Sequence, residues 1–311
     1  MLSRIAESLF WIGRYLERAE DTCRLLDVHV QQLVDDPTVD VEGSAAALLT
    51  SIGVDVERLG TTLDERLVLN RLLYDRTAPS SVAHSLTAAR HAARGVRETL
   101  STEMWEGINT SFLDVTSSGF RRRQPVSALK HVRLNCATVA GIADQTMTHD
   151  EGWHFLRLGL HLERTDMTAR MLATAARRRS PMAWQDALRA CGAQHAFIRV
   201  HGGSRPDVAA AEFLLLDQLF PRSVVHSLTS VEEALTAVAT TEPGRGIVLD
   251  TPLRLVGRAR SEVEYRTAEE LLDGLADRMD ELQTTCREVT SAVYEQYFTV
   301  DSTGNWHRGS M

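Results

Sequence analysis

The stretch IAESLFWIGRYLERAEDTCRLLDVHVQQL, residues 5–33, decides the fold class. Its apolar residues lie alternately four and three positions apart, a spacing that places them in one stripe along an α-helix. The polar segment DDPTVDVEG (35–43) follows and contains a proline that ends the helix. The stripe consists of Ile5, Leu9, Ile12, Leu16, Ala19, Cys23, Leu26, Val30 and Leu33.

Helical periodicity continues through the rest of the chain. No stretch shows the sustained alternation of apolar and polar residues that is typical of a β-strand. The sequence therefore predicts an all-α bundle in which the long helices run roughly antiparallel. Further helices are predicted at about 44–75, 79–113, 126–147, 150–178, 182–198, 207–219, 222–241 and 266–299, with a loop at 241–252.

Three segments of the first half recur in the same order in the second half. GRYLERAEDTCRLL (13–26) matches GLHLERTDMTARML (159–172) at seven of 14 positions, and PSSVAHSLT (79–87) matches PRSVVHSLT (221–229) at seven of nine. ALLTSIG (47–53) loosely matches DALRACG (186–192) between them. Ordered matches at similar offsets indicate an internal duplication that produced two pseudo-symmetric helical-bundle repeats. The expected division of one compact unit is repeat one at 1–120, a linker and connecting helix at 121–149, repeat two at 150–242, and a C-terminal helical hairpin and tail at 243–311.

Composition narrows the classes of partner. The 311 residues carry a net charge of −8, which argues against nucleic acid or an anionic membrane surface as partner. No apolar run is long enough to cross a membrane, and the N-terminal segment has no apolar signal core, so we expect a cytoplasmic protein. The cysteines are far apart and are expected to be reduced core thiols, not a disulfide or zinc framework. They are Cys23, Cys136, Cys191 and Cys286.

A Glu-Arg pair recurs in the two repeats, as Glu17-Arg18 and Glu163-Arg164. In the first helix the pair lies off the main apolar stripe, beside Phe10, Trp11 and Leu25 on a second apolar face. Charged groups on such a face must be paired or must line a cavity. Two interpretations stay open: the pairs stabilise the bundle, or they form a polar pocket for an anionic or amide-bearing ligand.

Other polar side chains are candidates for the same pocket. The substrate-binding candidates are Trp11, Arg14, Glu20, His161, Asp166, Trp105 and Asn109. Glu20 and Asp166 are each four residues before an arginine, so surface ion pairs are the alternative for them. His84 and His226 occupy equivalent positions after a Pro-Ser helix start, where a structural hydrogen bond is expected. No metal is expected, because di-metal bundles use two Glu-x-x-His motifs and the sequence has only one, Glu151 to His154. No cofactor is expected either, since no phosphate-binding glycine motif follows a strand.

Several separated strings resemble the Alpha-E family, an uncharacterised bacterial family of all-helical proteins with a conserved Glu-Arg motif. They are WIGRYLERAEDTCRLL, RETLSTEMWEGIN, MTHDEGWHFLRLGLHLERTDMTARML, PLRLVGRARSEVEY and TAEELLDGLADRMDELQ. Members of that family are typically encoded beside, or fused to, a circularly permuted ATP-grasp protein, often with a transglutaminase-like protease. The resemblance therefore implies a peptide- or amide-synthesis (amidoligase) system, with an ATP-grasp ligase as partner.

Three functional hypotheses follow. The chain is a partner or substrate-binding component of an ATP-grasp amide ligase, as the resemblance implies. Alternatively, it is itself an enzyme acting on an amide, ester or acyl phosphate, with Glu17 or Glu163 as general base and an arginine holding the anionic intermediate. Under the third hypothesis, it is an interaction scaffold whose Glu-Arg pairs only hold the bundle together.

Overall fold

The computed structural model describes residues 2–178, 180–202, 206–240 and 251–299. Over these ranges the fold is all-α, as the sequence predicted, and contains no strand. Short 3-10 turns occur at Glu57–Leu59, Arg97–Thr99 and Phe120–Arg122, and π-helical turns at Asn70–Tyr74 and Tyr294–Phe298. The α-helices are α1 (Ser3–Asp35), α2 (Val41–Ser51), α3 (Glu65–Leu69), α4 (Val82–Gly95), α5 (Thr102–Val115), α6 (Pro125–Thr146), α7 (Glu151–Arg178), α8 (Pro181–Ala190), α9 (Gln194–His201), α10 (Pro206–Leu216), α11 (Val224–Thr240), α12 (Thr251–Glu264), α13 (Ala268–Leu272) and α14 (Leu275–Val293).

The two longest helices, α1 and α7, pack side by side at the centre of the bundle. They run parallel: Glu17 pairs with Arg164, and further along both helices Leu25 and Met171 line the same small cavity. The expectation of antiparallel long helices is therefore wrong for this central pair. Parallel packing brings the two Glu-Arg motifs to the same level, where each carboxylate reaches the arginine of the other helix.

Two glycines allow α1 and α7 to approach closely. A Cβ added to Gly13 would lie 2.8 Å from the amide nitrogen of Leu160 and closer still to the Leu156 carbonyl oxygen. A Cβ added to Gly159 would meet the carbonyl group of Phe10 in the same way. Both glycines precede a Glu-Arg pair by four residues, so the close crossing and the ion pairs belong to one interface.

The remaining long helices surround this central pair. Helices α4 and α6 pack on α1, and α5 lies between them; α11 and α14 pack on α7, and α12 lies between them. The outer helix α6 runs antiparallel to α1, since Asp27 pairs with Arg133 while Leu16 lies beside Val139. Helices α12 and α14 thus cover the second long helix as α5 and α6 cover the first. The duplication itself and the domain division remain predictions.

Several helix boundaries differ from the prediction, and the stretches 44–75 and 266–299 are each divided, into α2 and α3 and into α13 and α14. The expected helix 79–113 is interrupted at 96–101, because Ser101 caps a new helix by accepting a hydrogen bond from the amide of Met104. The expected helix 182–198 breaks at Gly192, whose φ of 64° is in the left-handed region. Helix α12 supplies the first helix of the predicted C-terminal hairpin, for which no bounds were predicted; its buried residues are Pro252, Val256, Ala259 and Val263. The predicted loop at 241–252 lies mostly outside the described residues.

The core contains the whole central part of the first apolar stripe, from Leu9 to Val30. All four cysteines are buried and free, and burial raises the pKa of the Cys191 thiol to about 12. These are the inert core thiols that the sequence predicted. Among the helices that the structure describes, none combines the length and apolar composition needed to cross a membrane.

Candidate ligand-binding site

The Glu-Arg motifs of α1 and α7 form reciprocal ion pairs. Glu17 accepts hydrogen bonds from Nε and Nη2 of Arg164 at 2.6 and 2.8 Å, and Glu163 accepts the equivalent bonds from Arg18 at 2.6 and 2.9 Å. The two glutamates are 2% and 1% exposed. The burial expected from the second apolar face is therefore confirmed, and each charge has a partner on the opposite helix.

Each glutamate also binds a second arginine, and here the two halves differ. Arg14 Nε donates to Glu163 at 2.5 Å, whereas Arg222 Nη1 lies 2.8 Å from Glu17. Sequence reasoning missed Arg222. Its one signal was a difference between the repeats, because Arg222 stands where the matching segment has Ser80.

These arginines keep the glutamates ionised. Burial raises the pKa of Glu163, but Arg14 and Arg18 outweigh it and lower the pKa to about 2. For Glu17 burial acts in the same direction, and Arg164 and Arg222 outweigh it to lower the pKa. A carboxylate held so far below neutral pH is a weak base, which argues against either glutamate as a general base.

Arg222 is shared among several carboxylates in the middle of α1. It pairs with Glu17, with Glu20 at 2.7 Å and with Asp21. Glu17 also pairs with Arg164 and Glu20 with Arg24, whereas Asp21 has only the shared Arg222 among the described residues, so Asp21 is the carboxylate that is protonated most readily. Burial, with Glu17 and Glu20 nearby, raises its pKa to about 7 although Arg222 lowers it.

A cavity of about 310 Å³ lies beside the Glu17–Arg164 pair. This volume is at the lower end of the range for small-molecule sites. Its apolar lining consists of Gly13, Leu16, Met104, Val139, Ala140, Ala143, Leu156, Leu160 and Pro221. Its polar and aromatic lining consists of Asp144, Trp153, Arg157, His161, Arg164 and His226.

Arg157 brings an unneutralised charge to this cavity. Its Nη2 donates to His161 Nε2 at 2.9 Å, and its guanidinium lies 4.9 Å from the centre of the Trp153 ring. No carboxylate lies within ion-pair distance of Arg157 in the part of the chain that the structure describes. Burial lowers the pKa of Arg157; Asp144, at the same cavity, and Glu233 raise it by less, and Arg164 lowers it slightly. An anion placed here would relieve that cost.

His161 is neutral and has a fixed tautomer. Because an arginine can only donate, Nε2 of His161 is the acceptor and Nδ1 carries the proton. Nδ1 is buried and has no partner. Burial, then the charges of Arg164 and Arg157, lower the pKa of His161 well below its usual value.

His226 also has a defined orientation. Its Nδ1 donates to the carbonyl oxygen of Gln218 at 2.8 Å, which leaves Nε2 as an acceptor in the neutral ring. His84 makes the equivalent bond to the carbonyl of Arg76 at 3.1 Å. The predicted structural hydrogen bond is confirmed at both histidines. Of the two, only His226 lines the 310 Å³ cavity.

The structure separates the candidates named from the sequence into groups. His161 and Arg164 line the 310 Å³ cavity. Arg18, Glu163 and Asp166 line a second cavity of about 180 Å³ on the other side of the paired helices.

The other candidates are engaged elsewhere. Glu20 pairs with Arg24 and Arg222, Asp166 with Arg170, and Trp11 stacks on Tyr15. Trp105 and Asn109 are not among the residues that line either cavity. They contact Arg90, Trp105 through its ring and Asn109 by accepting a hydrogen bond at 2.8 Å. These contacts turn that face of α5 toward α4, and a place for the two residues in a pocket with the Glu-Arg pairs stays a prediction.

The fold and the reciprocal pairs define an all-helical protein built on a buried Glu-Arg motif. The chain belongs to the Alpha-E family, described as a predicted alpha-helical domain with a conserved ER motif, whose model matches residues 1–298.

The chain is similar to uncharacterized proteins of Mycobacterium bovis and Mycobacterium tuberculosis. Each is 28% identical over 314 residues, which cover 90% of this chain and 34% of the relative. The chain thus spans about a third of the length of the curated relatives it matches. No solved structure matches it.

Proposed function

We propose that this chain is the helical substrate-binding component of an ATP-grasp amide-ligase system in the bacterial cytoplasm. In this proposal the 310 Å³ cavity holds a carboxylate-bearing substrate that the ligase activates or joins. The Glu-Arg motif holds the two long helices in register and so sets the shape of the cavity.

The observation that carries the proposal is Arg157 at the wall of the cavity, since it lacks an ion-pair partner among the described residues. A planar guanidinium at the edge of an apolar cavity suits a carboxylate, since its paired N–H groups match the two oxygens.

The geometry favours a structural role for the Glu-Arg pairs themselves. The glutamates and arginines hydrogen-bond to one another across the interface between α1 and α7, so few of their donors and acceptors are free to bind a ligand. The low pKa of Glu163 opposes the alternative of an independent enzyme that uses a glutamate as base. The scaffold hypothesis explains the pairs, but it does not explain the charge at Arg157.

The ligase partner rests on the family resemblance and on what the chain lacks in sequence. The chain contains no phosphate-binding loop, so ATP chemistry would be supplied by another protein or domain. The curated relatives are about three times as long as the matched segment, which leaves room in them for further domains. A transglutaminase-like protein is a second potential partner on the same basis.

The test is co-expression with the ATP-grasp protein encoded in the same genome, followed by pull-down and an ADP-release assay over carboxylate acceptors. We expect association and acceptor-dependent ADP release. Arg157→Met should raise the acceptor KM at least about tenfold, the effect of losing one charged hydrogen bond. The ATP KM should stay unchanged.

Arg199→Met, on an exposed face of α9 away from the cavity, is the matched control and should leave both KM values unchanged. Two proteins that neither associate nor alter one another's activity would contradict the partnership. Equal effects of the Arg157 and Arg199 substitutions would contradict the role of the cavity.

A further inference from the structure

The 310 Å³ cavity has acceptors as well as cations along its wall. In the neutral ring, the Nε2 atom of His226 is an acceptor because Nδ1 donates to the Gln218 carbonyl. The carboxylate of Asp144 also lines the cavity, and its side chain is 60% exposed, which places it at the mouth. Arg157 and Arg164 supply the positive side.

A ligand that complements both sides has a carboxylate and an ammonium group. The carboxylate would bind at Arg157, where no protein anion is within ion-pair distance among the described residues. The ammonium would donate to His226 Nε2 and face Asp144. Between these groups the wall is apolar, with Leu16, Met104 and Leu156 among its residues. This favours an apolar side chain on the ligand.

We propose that the cavity binds the zwitterion of an α-amino acid with an apolar side chain, and that His226 and Asp144 recognise its amino group. The inference rests on the proposed function in that it uses the same cavity, and it adds the amino group and the side chain to the carboxylate. His226 is a binding residue here, and its Nδ1 bond to Gln218 holds the imidazole in the orientation required.

His84 provides a matched control for His226. Each histidine lies three residues after the serine that caps its helix. The capping serine is Ser81 for His84 and Ser223 for His226. Each donates from Nδ1 to a carbonyl eight residues earlier. Replacing either histidine by alanine removes the same structural hydrogen bond, and only at His226 does it also remove an acceptor from the cavity.

The experiment is isothermal titration calorimetry on the isolated protein, without any ligase. Three probes separate the groups: L-leucine carries both charges, N-acetyl-leucine lacks the ammonium, and leucinamide lacks the carboxylate. We expect leucine to bind at least about tenfold more tightly than either analogue, as loss of one charged hydrogen bond implies. His226→Ala should weaken leucine binding by a similar factor but leave N-acetyl-leucine unaffected, and His84→Ala should weaken neither.

The outcomes distinguish this inference from the proposed function. Equal binding of leucine and N-acetyl-leucine would overturn the amino-group inference and leave the carboxylate site standing. Equal losses in the His84 and His226 variants would also overturn it, since they would trace to stability. Binding of none of the probes would overturn the inference, while the pull-down with the ligase would still decide the partnership.

Discussion

Replacement of Gly159 by alanine tests the close packing of α1 and α7. The added Cβ would lie 2.9 Å from the carbonyl carbon of Phe10, whereas ordinary van der Waals contact begins at 3.4 Å. The obstacle is backbone, which cannot rotate away as a side chain can. The helices must therefore separate by at least about half an ångström, the shortfall from ordinary contact.

That separation would also stretch the ion pairs in the same interface, including the 2.6 Å bond between Arg164 and Glu17. Overpacking of this kind costs about 1–3 kcal/mol, and we expect Gly159→Ala to lie at the upper end, near 3 kcal/mol. The replacement at Gly13 should act similarly. The double variant should lose less than the sum of the two, because one separation relieves both clashes.

The assay is urea denaturation followed by circular dichroism, which gives the free energy of unfolding. Gly141→Ala in α6 is the control, since nothing lies within 4 Å of a Cβ there. The control should be stabilised by about 0.5–1 kcal/mol, the usual gain of alanine over glycine in a helix. If Gly159→Ala were as stable as Gly141→Ala, the close-packing argument would be refuted.

Two further predictions concern buried carboxylates. Glu163→Gln leaves the buried Arg14 and the half-buried Arg18 uncompensated and should lower the free energy of unfolding by about 3 kcal/mol, against less than about 0.5 kcal/mol for Asp55→Asn in an exposed pair. Because the pKa of Glu163 is about 2 in the folded protein and 4.5 in the unfolded chain, the stability that ionised Glu163 contributes is fully present above pH 4.5 and is lost as pH falls toward 2. The difference in free energy of unfolding between wild type and Glu163→Gln should therefore shrink from pH 6 to pH 2.5, and a constant difference would contradict this. Asp21 should give the opposite dependence of stability on pH. Its pKa rises from 3.8 to about 7 on folding, so its ionisation destabilises the folded state, and the free energy of unfolding of the wild type should fall as pH rises between these values. Asp21→Asn should therefore gain stability relative to wild type from pH 5 to pH 8, by up to about 4 kcal/mol in urea titrations at each pH, and no such gain would show that Asp21 is ionised throughout.

Much of the local structure was predictable because it depends on neighbours in sequence. The four-three spacing predicted α1, and the Pro-Ser signal near residue 80 predicted the serine cap of α4. The breaks at Gly192 and before Ser101 were missed, since apolar periodicity continues across them and the turn geometry does not appear in the pattern. Helix α12 was predicted only as part of the C-terminal hairpin, without bounds, because few of its residues are apolar and buried.

The candidate site was predicted in part. Burial of Glu17 and Glu163 followed from the apolar residues around them, and His161 and Arg164 were named before their cavity was visible. Arg222 could not be placed, because it reaches Glu17 from a segment about 200 residues away.

The sequence by itself determined the helices, the buried Glu-Arg pairs and the two glycines that precede them, because each is encoded by residues a few positions apart. The tertiary structure decided that α1 and α7 are parallel and that each glutamate binds an arginine of the other helix. It also decided that Arg157 and His226 share one cavity while Trp105 does not line it. The physical reason is that helical periodicity specifies which face of a helix is buried, whereas the partner of that face depends on how all the helices fill the core together.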